Sequence, residues 1–120
     1  MRPPQIREQG GVSIVTLDDP IAVNDGMASH LRQPLYQIVL DLTAPRVAID
    51  MGLIDYLSSS GVALLIGMKR RVDQVEGQLV LFRLHPDVRE LLNSMKLLSL
   101  FRIAADQDQA IELLLPLRDA

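Results

Sequence analysis

Residues 47–67 read VAIDMGLIDYLSSSGVALLIG. Val47-Ala48-Ile49-Asp50-Met51 is a short apolar run bounded by Pro45 and Gly52, the pattern of a central strand buried on both faces. From Val62 to about Gln74 the residues Leu65, Met68, Val72 and Val75 recur at spacings of three and four, and the first two turns are apolar nearly all round. That segment is expected to be a helix buried on several sides. Between strand and helix stand Ser58, Ser59, Ser60 and Gly61, and the purpose of three hydroxyls at that point is the question the chain poses.

Working outward, Val12 to Leu17 alternates and is β-branched, as a strand requires, and Gly10-Gly11 before it is a turn signal that lets Gln5 to Glu8 fold back as a hairpin arm. Asp18-Asp19-Pro20 closes that unit. After Asn24-Asp25-Gly26, the positions Leu31, Leu35, Ile38 and Leu42 share one helical face from about Met27 to Leu42, with Pro34 inside it giving a kink or a late start. Beyond the central pair, Gly77 ends the helix, and Gln78 to Arg83 is expected to be a strand. Pro86 opens a helix with Val88, Leu91, Leu92 and Met95 inward, proline being well placed at a first helical position. A short strand around Leu100 to Ile103 and a helix from Asp106 to about Leu115, with Ala110, Ile111 and Leu114 inward, complete the chain. Strands and helices alternating at this spacing give the α/β class: a mixed, mainly parallel sheet of four to five strands with helices mainly on one face.

The chain has 120 residues, 48% of them hydrophobic, which suits one domain over residues 1–120 with one core. It has no cysteine, which removes disulfides, thiolate metal sites and a cysteine nucleophile. The N-terminal MRPPQIREQGG has no apolar signal core, and no window reaches the roughly 18 apolar residues of a membrane span. A cytoplasmic protein with no direct membrane contact is the expectation. The net charge of −3 and the 3% aromatic content leave nucleic-acid binding without its basic field or its stacking platforms. The one basic cluster, Lys69-Arg70-Arg71, reads as a solvated helix face.

Catalysis finds little to work with. A serine nucleophile needs a base, and neither His30, on the first helix, nor His85, beside Pro86 at a helix start, is placed by sequence near the serines. The G-x-S-x-G of a nucleophile elbow is missing, as is a glycine-rich phosphate loop with its lysine. Asp50 and Asp55 suggest no metal trio. The expectation is therefore no enzyme, no metal and no cofactor. The serines fit a capped helix N-terminus, where one hydroxyl accepts a bond from a free backbone N–H. One cap uses one serine, and the others stay at a helix start, open to a kinase. A phosphate there adds roughly −1.5 to −2 charges, which the positive end of the helix tolerates without unfolding the domain. Cap and switch do not exclude each other.

The stretch 47–67 resembles the STAS domain, named for sulfate transporters and anti-sigma factor antagonists. Its pattern is a strand ending in leucine-aspartate, a short loop, then aspartate-serine-serine-glycine opening a helix. Asp50 matches the strand-end aspartate, Ser59 the phosphorylatable serine, Ser60 the next serine and Gly61 the glycine, while Ser58 stands where the pattern has aspartate. Residues 82–114, FRLHPDVRELLNSMKLLSLFRIAADQDQAIELL, also fit, and Asn24-Asp25 lies where the family carries a polar or acidic pair. The resemblance implies an anti-sigma factor antagonist. Unphosphorylated, it binds a serine kinase that doubles as an anti-sigma factor. Phosphorylation of Ser59, with Ser58 and Ser60 as alternatives, ends the contact, and a phosphatase restores it. The implied docking surface is Asn24, Asp25, Ser58, Ser59, Ser60, Gly61 and Val62, with Val62 or Met51 as apolar anchors if not core. A second reading of the same resemblance is an accessory subunit on the ATPase of an ABC-type lipid transport complex.

Overall fold

A computed structural model of the chain describes residues 5–17, 37 and 45–114. Asn24, Asp25 and His30 lie outside the described residues, as does the expected first helix except for Gln37, which is helical and exposed.

The hairpin forms as its turn chemistry demands. Strands β1 (Gln5–Gln9) and β2 (Val12–Thr16) pair antiparallel with Gln9 opposite Val12. The two residues between them, Gly10 and Gly11, have φ of 62° and 85°, the doubly left-handed turn that suits a two-residue hairpin and favours glycine. β2 then pairs parallel with β3 (Arg46–Asp50), β3 with β4 (Gln78–Phe82), and β4 with β5 (Arg102–Ala104). The sheet order is β1-β2-β3-β4-β5.

Both faces of this sheet are covered, so its inner strands are apolar without alternation. Val15, Val47, Ile49, Leu79 and Leu81 face one cluster, filled by Leu64, Leu65, Met68 and Val72 of α1 (Ser59–Gln74) and by Val88 and Leu92 of α2 (Pro86–Ser94). Val12, Ile14, Ala48, Val80 and Phe82 face the other, closed by Ala110 and Leu114 of α3 (Gln107–Leu114). Two of the three described helices thus share a face, and the mixed, mainly parallel α/β sheet expected from the sequence is the observed one.

Two expectations near the C-terminus shift. Met95 is 46% exposed instead of inward, because α2 stops at Ser94 and Met95 is its C-terminal cap. The last strand begins at Arg102; Leu98–Leu100 form a 3-10 turn before it.

α1 and α2 end alike. The amide of Gly77 donates to the Val72 carbonyl at 2.8 Å and that of Glu76 to Asp73 at 3.1 Å; Leu97 and Lys96 repeat the pattern on Leu92 and Asn93. This double bond closes a helix with a left-handed residue that is usually glycine, yet here Glu76 and Lys96 hold φ of 59° and 60°. The glycine beside Glu76 has another task. A Cβ on Gly77 would fall 2.5 Å from the Pro45 carbonyl, the same carbonyl that accepts from Gln78 N–H. Glu76→Gly is expected to raise stability by up to about 1 kcal/mol by relieving the left-handed strain, whereas Gly77→Ala is expected to lower it by about 1–3 kcal/mol. Urea denaturation of the two variants reads both signs.

Candidate functional site

The site begins where β3 leaves the core. Asp50 is the last strand residue and is 8% exposed, so its carboxylate needs partners. It finds two. Oδ1 accepts from the Gly52 N–H at 2.9 Å, and Oδ2 accepts from Arg83 Nη1 at 3.3 Å. Asp50 pairs in register with Phe82, which places Arg83 one residue past the end of the neighbouring strand. Arg83 holds φ 59°, a left-handed conformation that is strained for a non-glycine residue and calls for a compensating contact. Its guanidinium lies over Gly52, where an added Cβ would meet Nη2 at 2.5 Å. Glycine at 52 is what lets the arginine approach.

This clamp fixes the start of the loop, and two side chains fix the rest. The Ile54 N–H donates to the Met51 carbonyl at 3.0 Å, closing a turn. Ile54 and Leu57 are buried in the core under α1, while Leu53 and Tyr56 stand 58% and 63% exposed. The loop is pinned from within and presents two large apolar side chains outward.

The three serines then separate by role. Ser58 is the N-cap of α1, in extended backbone geometry, and its Oγ accepts from the Gly61 N–H at 3.2 Å. Its carbonyl accepts the first helical bond, from Val62 N–H at 2.9 Å. Ser59 and Ser60 are the first two helical residues; Ser59 is exposed and Ser60 half-buried. The first turn carries no acidic side chain, so no carboxylate there compensates the positive end of the helix dipole.

Of the residues named from sequence, Ser58, Ser59 and Ser60 come together at one exposed corner. Gly61 and Val62 adjoin them but are buried, Val62 at 5% and Met51 at 0% exposure. The anchor role offered for Val62 and Met51 is corrected accordingly: both face the core. His85 caps α2, its Nδ1 accepting from the Asp87 N–H at 3.3 Å. Arg83 escaped the sequence reading, where it appeared only as the end of a strand. The available signal was an acid and a base ending two neighbouring apolar runs.

Among the described residues, no group of three or more His, Cys, Asp or Glu side chains is placed to hold a metal ion, and no helix is long and apolar enough to cross a membrane. The site consists of a cluster of hydroxyls, a capped helix start and a pinned loop. The family model of the STAS domain matches residues 3–110.

The chain belongs to the STAS domain family.

This STAS domain is 36% identical over 88 residues to BtrV of Bordetella bronchiseptica, named as a candidate anti-sigma factor antagonist; the match covers 73% of this chain and 75% of BtrV. In fold it is similar to an anti-sigma factor antagonist (STAS) domain protein of Planctomyces limnophilus, with a TM-score of 0.84 at 13% identity, covering 94% of this chain and 98% of that one. It is also similar to the Bacillus cell fate determinant SpoIIAA in its phosphorylated form, with a TM-score of 0.67 at 18% identity, covering 92% of this chain and 97% of that one.

Two stability measurements test the geometry of this STAS domain. Ser58→Ala is expected to cost about 1 kcal/mol as a lost cap, while Ser59→Ala stays within about 0.5 kcal/mol of wild type as a surface change. For the clamp, Arg83→Ala and Gly52→Ala are each expected to cost about 1–3 kcal/mol, since either leaves Asp50 short of a donor. Because both break the same contact, Gly52→Ala introduced into Arg83→Ala is expected to add less than about 0.5 kcal/mol, a coupling that a double-mutant cycle in urea measures.

Proposed function

We propose that this STAS domain is an anti-sigma factor antagonist, a protein-binding switch set by phosphorylation of Ser59. Unphosphorylated, it docks through the serine corner onto a serine kinase that also serves as an anti-sigma factor, and so releases the sigma factor to transcription in the cytoplasm. The kinase, using ATP, places a phosphate on Ser59 and ends the contact, and a phosphatase resets the surface. The domain itself catalyses no step.

One observation carries this reading: the cap bond is made by Ser58, which leaves Ser59 exposed at the first helical position without a structural duty. Two further considerations support it. The family pattern has aspartate at position 58, and aspartate and serine are both strong N-caps, so the replacement keeps the helix start in place. A phosphate on Ser59 would add charge at a helix end whose first turn holds no acid, where the dipole favours it. The new charge would then act on the docked partner, which meets an anion it must desolvate, and leave the fold intact. Asn24 and Asp25 are proposed as part of the same docking surface from the family pattern.

Wild-type, Ser59→Ala and Ser59→Asp proteins, used as baits in lysate of the source organism, test the proposal. The expected result is a serine kinase held by wild type and Ser59→Ala and released by Ser59→Asp, with affinity for the purified kinase falling tenfold or more, about 1.4 kcal/mol, in the aspartate variant. Equal binding of that kinase by Ser59→Asp would overturn charge repulsion as the mechanism. An ABC-type ATPase held equally by all three, with no phosphate on the domain, would favour the transport accessory instead.

A further inference from the structure

Five large hydrophobic residues stand exposed among the described residues: Ile6, Leu53, Tyr56, Met95 and Leu100. Two of these, Leu53 and Tyr56, are three residues apart on the loop that delivers Ser59. Their position is not a consequence of a loose loop. Asp50 holds Gly52 N–H and Arg83 at one end, and Ile54 and Leu57 are sunk in the core between and after them. A surface that is already ordered loses little conformational entropy when it binds, and tyrosine is among the residues most enriched at the centres of interfaces.

Distance ties these side chains to the switch. Three residues of chain span at most about 10 Å, so the backbone of Tyr56 lies within that distance of Ser59. A standard interface takes about 800 Å² from each partner, a disc of roughly 16 Å radius. When the Ser59 hydroxyl sits in a kinase site, Tyr56 is inside the footprint, and Leu53 follows on the same pinned loop.

We infer that Leu53 and Tyr56 are the apolar anchors by which the Ser59 kinase recognises this protein, filling an apolar recess on the kinase face next to its ATP site. This rests on the reading of Ser59 as the phosphorylated residue and adds what that reading lacks. The two apolar residues offered from sequence, Met51 and Val62, are buried, and no anchor remained. Substrate selection then depends on two side chains that take no part in phosphoryl transfer, so they govern KM and leave kcat alone.

The test is steady-state phosphorylation of the full chain by the purified serine kinase, with labelled ATP and Mg²⁺. Leu53→Ala and Tyr56→Ala are each expected to raise KM by about fivefold or more, and the double variant by more than about twentyfold, with kcat within about twofold of wild type. Met95→Ala/Leu100→Ala is the matched control. Leu100 precedes β5, at the end of the parallel sheet opposite the serine loop, and this double variant is expected to leave KM unchanged. Both pairs are exposed, so melting temperatures close to wild type check that each variant is folded. A KM within twofold of wild type for Leu53→Ala/Tyr56→Ala overturns the inference while leaving Ser59 as the switch. An equal rise in the control pair also overturns it, because recognition would then be diffuse. If the kinase bound by the wild-type bait transfers no phosphate to Ser59, the functional reading and this inference fall together.

Discussion

Asp50 must find two donors where β3 leaves the interior, and the rest of the site hangs on how it does so. A carboxylate on so buried a residue without partners would pull the strand end toward water. The Gly52 amide and the Arg83 guanidinium supply the bonds, and in doing so they set the direction of the loop. With its first residues fixed, Ile54 and Leu57 reach the core under α1, and the loop delivers Ser58 in extended geometry to cap the helix. The left-handed Arg83 backbone is the strain accepted for this contact, and the lack of a side chain at Gly52 is what makes room for it.

A consequence is a division of labour among chemically identical neighbours. A hydroxyl that caps a helix is tied to the backbone; one residue later, Ser59 is exposed and takes no part in the cap bond. The domain keeps its architecture in Ser58 and leaves Ser59 open. Charge added at Ser59 would meet the positive end of α1 and leave the sheet untouched, so a switch of surface electrostatics needs no second conformation.

Much of this was legible in the sequence. The runs VAID and LVLF are apolar without alternation because the sheet is covered on both sides, and the glycine pair before Val12 is the turn that a hairpin demands. The α1 face of Leu65, Met68 and Val72 was readable because apolar residues recur there at spacings of three and four. The rest depended on information that periodicity does not carry. Met95 continues the α2 spacing, but α2 ends at Ser94 and leaves Met95 as its cap, followed by the left-handed Lys96. Val62 and Met51 are buried, as the helix and strand patterns that hold them imply, so neither is open to a partner. Which serine caps depends on backbone angles at one residue, and the Asp50–Arg83 pair joins residues 33 positions apart, close only once β3 and β4 are paired. Asn24 and Asp25 fall outside the described residues, so the part proposed for them rests on the family pattern.

The most direct test of a fixed cap beside a free switch is an amide NMR comparison of the protein with serine and with phosphoserine incorporated at position 59. The account predicts shift changes confined to the loop from Leu53 and the first turns of α1, with the Gly61 amide still bonded to Ser58 and the sheet amides unmoved. Shift changes spread through β3 and β4, or loss of the Gly61 bond, would contradict it by showing that the phosphate acts through the fold and not through the surface.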